Sequence, residues 1–160
     1  MFMLNLETMD KDIFLTHEGL KKLKEEYEDL TKIKRKEVTD RISKAREFGD
    51  ISENSEYDTA REEQSFIEGR IIEIEDILKH AKILNDKVKH NVVEMGSSVK
   101  VEVDGQKDEY VIVSSVEANP TEGKISNESP VGKALLGSKV GDVVTVASSV
   151  RSTYKVLDIK

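Results

Sequence analysis

Apolar residues recur every three or four positions along the first half of the chain, which is the pattern of an amphipathic helix. The first series consists of Leu20, Leu23, Tyr27, Leu30 and, after a shift near Ile33, Val38, Ile42 and Ala45. Thr16 is a suitable N-cap before this series, and Gly49 is a suitable stop after it. The pattern predicts one helix from Thr16 to about Phe48, with a stutter near Ile33.

A second series follows steps of three and four without a fault: Tyr57, Ala60, Gln64, Ile67, Ile71, Ile74, Leu78 and Ala81. Only Gln64 is polar, and a lone polar residue in such a seam often fixes the register of two helices. Each predicted helix is about 45 Å long. Because a short turn joins them, we expect an antiparallel coiled-coil hairpin over residues 14–84, with the turn around Asp50 at its free end.

After Gly96 the pattern changes from helical spacing to alternation, which is typical of β-strands. Asp104-Gly105 is a strong two-residue hairpin signal, and Ser129-Pro130 is a typical helix start. The strands are predicted at residues 99–103, 110–116, 143–147 and 154–159, and the short helix at residues 129–137. The sequence therefore predicts an α+β protein, in which the hairpin is followed by a linker at residues 85–97 and a small antiparallel sheet domain at residues 98–160.

Composition narrows the possible functions. Charged residues make up 36% of the 160 residues and apolar ones 37%, which suits solvated helices better than one large core. The chain has no Cys, so it offers no thiolate metal site, and no apolar run long enough to cross a bilayer. We expect a cytoplasmic protein without a membrane partner. The net charge of −7 argues against a general nucleic-acid binder, so any such contact should be local.

The predicted turn carries two carboxylates, Asp50 and Glu53, whose oxygens are ligands that Mg²⁺ prefers. Two ligands do not make a stable magnesium site, so the remaining oxygens would have to come from water or another molecule. The spacing has a second interpretation. Asp50-x-x-Glu53 also fits a capping box, and Ser52 or Asn54 could cap the second helix as well. Spacing alone favours the cap.

The residues around this turn carry a specific family resemblance. Residues 45–57 (AREFGDISENSEY), continued at residues 60–62 and 68–71, closely resemble the tip of the bacterial GreA-type transcript-cleavage factors. Residues 15–23 resemble the N-terminal signature of that family, and residues 129–137 (SPVGKALLG) its C-terminal one. The resemblance begins at Phe14 and says nothing about the extension at residues 1–13. It implies a helical hairpin followed by an FKBP-like α+β domain.

The resemblance also implies a function. Such factors bind RNA polymerase through the C-terminal domain and insert the hairpin into its secondary channel, where the nascent RNA 3′ end of a backtracked complex lies. Asp50 and Glu53 would help to hold a second Mg²⁺ there and position the attacking water, so that the polymerase cleaves its own transcript. The chain would be an accessory factor and not an enzyme. Its Mg²⁺ would be shared with the polymerase and not tightly bound by the chain alone.

Basic residues flank the turn on both helices. By resemblance, Arg46 and Arg61 are expected to contact the RNA, although they could instead form ordinary surface ion pairs worth about 0–1 kcal/mol each. For Arg41, Lys44 and Arg70 the sequence leaves both interpretations open.

Three other functions remain to be compared with transcript cleavage. A channel-binding inhibitor on the same scaffold would differ at the acidic tip, but this chain retains both Asp50 and Glu53. A chaperone or prolyl isomerase would need an aromatic pocket, whereas residues 91–160 contain only Tyr110 and Tyr154 as aromatic residues. A purely structural dimeric coiled coil would not need the acidic turn.

Overall fold

The computed structural model describes residues 12–49, 54–85, 91–147 and 150–160. The helical elements are α1 (His17–Asp29), a π-helical turn (Leu30–Lys34), α2 (Arg35–Glu47), α3 (Ser55–His80), a 3₁₀ turn (Pro120–Glu122) and α4 (Pro130–Leu135). The strands are β1 (Ile13–Leu15), β2 (Ala81–Ile83), β3 (Ser98–Val103), β4 (Gln106–Val113), β5 (Lys124–Ser126), β6 (Val143–Val146) and β7 (Ser152–Ile159). The chain divides into a hairpin unit, Leu20–His80, and a sheet unit made of residues 12–19 and 81–160.

The first helical stretch begins and ends as the sequence predicts. Thr16 caps it, because its hydroxyl accepts a hydrogen bond from the Gly19 amide at 3.0 Å. Between α1 and α2 the Arg35 amide donates to the carbonyl of Leu30, five residues earlier, which is a π-helical bond. The extra residue in this turn lets Val38 return to the buried face. The predicted stutter is therefore a π-helical turn within continuous helix.

Helix α3 packs antiparallel to the preceding helices. The contacts between them run in opposite directions along the chain, pairing Glu26 with Arg70, Arg35 with Glu68 and Arg41 with Glu63. The core between the helices contains Val38, Ile42, Ala60, Ile67 and Ile71, with Tyr27, Leu30 and Tyr57 packed against it. The predicted seam is confirmed as far as Ile74.

The end of α3 differs from the predicted seam. Ile77 is buried where the sequence pattern predicts Leu78, and Ala81 lies in β2 because the helix ends at His80. Ile77 and Leu78 are adjacent and both apolar, so the sequence pattern alone does not determine which of them enters the core, and the packing of the helices buries Ile77.

The main sheet has the strand order β5-β4-β3-β7-β6. The predicted hairpin between β3 and β4 is confirmed, with positive φ at both Asp104 (50°) and Gly105 (78°), as a type I′ turn requires. Strand β7 pairs antiparallel with both β3 and β6. The prediction of an entirely antiparallel sheet is wrong, because β5 pairs parallel with β4. A three-residue strand of this kind is too short to show alternation.

Helix α4 forms as its sequence predicts. The Ser129 hydroxyl accepts a hydrogen bond from the Gly132 amide at 3.0 Å, and Pro130 occupies the first position of the helix. Leu135 on this helix is fully buried in the core of the sheet unit. The other buried members of that core are Val93, Val99, Val101, Ile112 and Val156.

The limits of the two units differ from the predicted ones. Strands β1 and β2 pair in parallel and belong to the sheet unit, so the hairpin unit covers residues 20–80 where the sequence predicts a hairpin at 14–84. Val93 lies in the sheet core although it falls within the predicted linker at residues 85–97. Val93 has apolar Val92 before it and polar Glu94 after it, and so short an apolar run gives no periodicity from which its burial could be predicted.

The start of α1 explains the glycine in the N-terminal signature. The Glu117 carboxylate accepts hydrogen bonds from both the amide and the hydroxyl of Thr16. A Cβ on Gly19 would lie 2.0 Å from a Glu117 carboxylate oxygen. Glycine therefore leaves room for a negative charge at the helix N-terminus, where it interacts favourably with the helix dipole.

Candidate functional site

The first helical stretch ends beside the acidic turn. Helix α2 stops at Glu47, and Gly49 has a φ of +112°, a conformation that favours glycine. The Phe48 side chain is 88% exposed although the residue follows directly on the helix. The two predicted metal ligands, Asp50 and Glu53, lie outside the described residues.

Asn54 joins the two sides of the turn. Its side-chain oxygen accepts a hydrogen bond from the Tyr57 amide at 3.2 Å, and its carbonyl accepts one from the Asp58 amide, which makes Asn54 the N-cap of α3. Its side-chain nitrogen donates to the Ala45 carbonyl at 2.8 Å, near the end of α2. One amide group therefore bonds to backbone at the end of one helix and at the start of the next.

The position of this cap tests whether Asp50-x-x-Glu53 is the capping box of α3. A capping box needs its first residue at the N-cap and its fourth at the third helical position. In α3 these positions belong to Asn54 and Tyr57, so the Asp50-x-x-Glu53 spacing does not coincide with the start of this helix. Of the caps that the sequence offers, the structure uses Asn54.

We expect replacement of Asn54 by Ala to loosen the end of the hairpin. The variant loses the cap of α3 and the bond to the Ala45 carbonyl, and we expect it to lower the free energy of unfolding by about 1–2 kcal/mol. Urea denaturation followed by circular dichroism at 222 nm measures this loss. Asn54→Asp is the matched control, since it keeps the capping oxygen and should lose less. Equal stability of Asn54→Ala and the native chain would contradict the proposed double contact.

Arginine side chains form ion pairs along the hairpin. The pairs between the helices are Arg35 with Glu68, through two bonds of 2.7 Å, Arg41 with Glu56 and Glu63, and Arg70 with Glu26. The hydrogen bonds from Arg35 lower the pKa of the Glu68 carboxyl. Bonds to Glu56 and Glu63 raise the pKa of Arg41, and bonds to Glu26 and Glu73 raise that of Arg70. Arg41 and Arg70, which the sequence leaves undecided, are thus held by carboxylates.

Arg46 and Arg61 have different surroundings. The Arg46 guanidinium lies 5.8 Å from the centre of the Tyr57 ring, within the range of a cation–π contact. Arg61 donates to the side-chain oxygen of Gln64 at 2.8 Å. Within the described part of the chain, neither arginine pairs with a carboxylate, and neither does Lys44. All three side chains are exposed, so positive charge is available on both helices.

An aromatic residue adds to this surface. Phe48 lines a shallow concavity together with Arg41, Lys44, Ala45, Asn54 and Glu56. The sequence pattern names Phe48 only as the approximate end of the first helix and gives no expectation of its exposure. Its neighbours Gly49 and Asp50 are the signal that could have revealed it, since a glycine and a charged residue directly after the helix leave little to cover the ring.

Other parts of the described chain offer less for a metal or a membrane. Residues 12–49, 54–85, 91–147 and 150–160 contain no group of three or more His, Asp or Glu side chains placed to hold a metal ion. None of the helices described here is both long enough and apolar enough to span a bilayer.

Comparison with known proteins identifies the family. The model of the N-terminal domain of transcription elongation factors matches residues 13–83, and the model of the GreA/GreB C-terminal domain matches residues 88–160. The chain is 52% identical to transcription elongation factor GreA of Acetivibrio thermocellus over 157 residues, which is 94% of this chain and 98% of that protein. It is 56% identical to GreA of Thermoanaerobacter pseudethanolicus over 141 residues, 86% of this chain and 90% of that one.

Among solved structures, GreA factor homolog 1 of Thermus thermophilus is 34% identical, with a TM-score of 0.45 and coverage of 94% of this chain and 99% of that one. Both family models match in chain order and together include nearly all of the sequence from residue 13 onward. The chain belongs to the GreA/GreB family of transcription elongation factors.

Proposed function

We propose that this elongation factor enters the secondary channel of RNA polymerase and stimulates the polymerase's own cleavage of backtracked RNA. Arrested complexes would then resume synthesis from the new 3′ end. The observation that supports this best is the cap of α3. Asn54 caps this helix, so Asp50 and Glu53 are not needed as its cap, and the chain matches the N-terminal model of the family around this turn. The sheet unit would provide the contact with the outside of the channel.

The chemistry of the turn fits an accessory role. Carboxylate oxygens suit Mg²⁺, and two of them leave most of its six positions to other ligands. Asp50 and Glu53 would hold a second Mg²⁺ in the polymerase active site, where such an ion, when bound, supplies an activated water for phosphodiester hydrolysis. The chain contributes ligands and orientation, and the polymerase contributes the remaining active site. The factor is therefore not an enzyme by itself.

Arg46 and Arg61 are proposed to contact the extruded RNA. Both are exposed, and neither is neutralised by a carboxylate within the described residues. RNA phosphates attract such cations, whereas the net charge of −7 disfavours binding of nucleic acid to the chain as a whole. The contact would therefore be confined to the end of the hairpin near the turn.

A backtracked elongation complex tests this function directly. RNA polymerase is stalled with a 5′-labelled transcript whose 3′ end is extruded, and shortening of the transcript is followed with and without the protein. We expect the protein to accelerate shortening and the shortened RNA to be extended when nucleotides are added. The protein with RNA alone should release no fragment. No acceleration at saturating protein would rule out the proposed function.

A further inference from the structure

A glycine in the interior of α3 has no structural reason within the part of the chain that is described. Gly69 lies in the helix with its α-carbon facing solvent, and a Cβ built there meets nothing within 4 Å. The helical glycines Gly19 and Gly132 differ, because a Cβ on either would lie 2.0 Å from another atom. Glycine destabilises a helix interior relative to Ala, so an open position normally favours another residue. The missing side chain at Gly69 points to a molecule that approaches the helix closely.

Exposed apolar side chains flank Gly69. Phe66 is 72% exposed and Ile72 is 66% exposed, and both lie on the side of α3 that faces away from its buried seam. A shallow concavity is lined by Ser65, Phe66, Gly69, Arg70 and Glu73. Phe66, Gly69 and Ile72 are three residues apart, so they form one strip along the helix. We call this strip the Gly69 face.

The charges beside the Gly69 face favour a protein partner over RNA. Glu62 and Glu73 lie four positions before Phe66 and four after Gly69, which places them along its edge. Arg70 also lines the concavity, but its single positive charge is shared between the carboxylates of Glu26 and Glu73, so these three side chains together remain negative. An apolar centre with an acidic edge repels phosphates and complements an apolar ridge flanked by Lys or Arg.

We propose that the Gly69 face is a docking surface for a protein segment of RNA polymerase that presents an apolar ridge flanked by basic side chains. The absence of a Cβ lets that ridge reach the helix backbone, while Phe66 and Ile72 pack on either side of it. This inference rests on the proposed function for the identity of the partner. It assigns to the hairpin a protein contact separate from the acidic turn.

Gly69→Ala separates docking from helix stability. The substitution should raise the melting temperature by roughly 2–4 °C, because Ala is the better helix former and nothing in the described chain opposes its methyl group. We expect it nonetheless to weaken binding to core RNA polymerase about tenfold or more. Cleavage at saturating protein should match that of the native chain, since the turn is unchanged. Phe66→Ala should weaken binding in the same way.

Ser43→Ala is the matched control, because Ser43 is an exposed residue of α2 and Ala is again the better helix former. It should leave the affinity for polymerase unchanged. Native-like polymerase binding by both Gly69→Ala and Phe66→Ala, with the native chain active, would overturn this inference alone. Failure of the native chain to bind polymerase would overturn it together with the proposed function. Self-association of the native chain in sedimentation, abolished by Gly69→Ala, would overturn it in favour of a second copy as the partner.

Discussion

Asp50→Asn is expected to bind RNA polymerase as the native chain does and to lose stimulated RNA cleavage almost completely. The substitution keeps the size of the side chain and removes the negative charge that a Mg²⁺ ligand supplies. Removing a residue that only orients a metal ligand typically lowers metal affinity or activity by roughly 10- to 100-fold. Because Asp50 would be a ligand itself, we expect its substitution to lower the cleavage rate by more than about 100-fold. Glu53→Gln should behave alike. Cleavage of a backtracked transcript measures the rate, and competition for core polymerase measures binding.

Two controls make this result specific to the carboxylates. Ser52 lies between the two carboxylates in the sequence, and Ser52→Ala should retain cleavage. Raising the Mg²⁺ concentration should partly restore Asp50→Asn, because the remaining ligands can still hold the ion more weakly. Native cleavage by Asp50→Asn would show that the carboxylate has no such role. Tight Mg²⁺ binding by the isolated native chain in calorimetry would contradict a site shared with polymerase.

The hairpin could be predicted from the sequence because its determinants are local. Leu30 and Val38 are eight residues apart where the seam would have seven, and the π-helical turn at Leu30–Lys34 absorbs the extra residue. Thr16 and Gly49 mark the two ends of this helical stretch by their own conformational preferences. A pattern of this length leaves few alternatives to a long helix.

The short parallel strands could not be predicted in this way. Strand β1 pairs with β2, 68 positions later, and β5 pairs with β4 after a 3₁₀ turn. Three residues show too little alternation to identify a strand, and parallel pairing produces no hairpin signal between the partners. These pairings depend on where the tertiary fold places the backbone.

The site was predictable in residue type but not in pairing. The sequence shows basic residues on both helices, yet only the register of the packed helices distinguishes Arg41, which is held by Glu56 and Glu63, from Arg46, which lies over Tyr57. Asn54 was one of several candidate caps, and its bond to the Ala45 carbonyl depends on the approach of α2. The role of Asp50 and Glu53 is inferred from the sequence and from the family, since both lie outside the described residues.

Gly132→Ala is expected to destabilise the sheet unit by about 3 kcal/mol or more, because forcing extra atoms into a packed core typically costs 1–3 kcal/mol and here the obstacle is backbone. A Cβ on Gly132 would lie 2.0 Å from the carbonyl oxygen of Ser126 and 3.1 Å from the α-carbon of Asn127. Backbone cannot rotate away as the end of a long side chain can. Relief requires α4 to move, and α4 carries the fully buried Leu135.

Substitution by Ala at these two glycines should therefore change the free energy of unfolding in opposite directions. Gly69→Ala adds its methyl group to open space, whereas Gly132→Ala adds it against the backbone of Ser126. Urea denaturation measures both, and Lys133→Ala controls for substitution in α4 because Lys133 is exposed. If the sheet unit docks on polymerase, Gly132→Ala should also lose polymerase binding while most of the helical signal at 222 nm remains. Native stability of Gly132→Ala would mean that α4 does not pack against Ser126 as described, and the C-terminal signature would need another explanation.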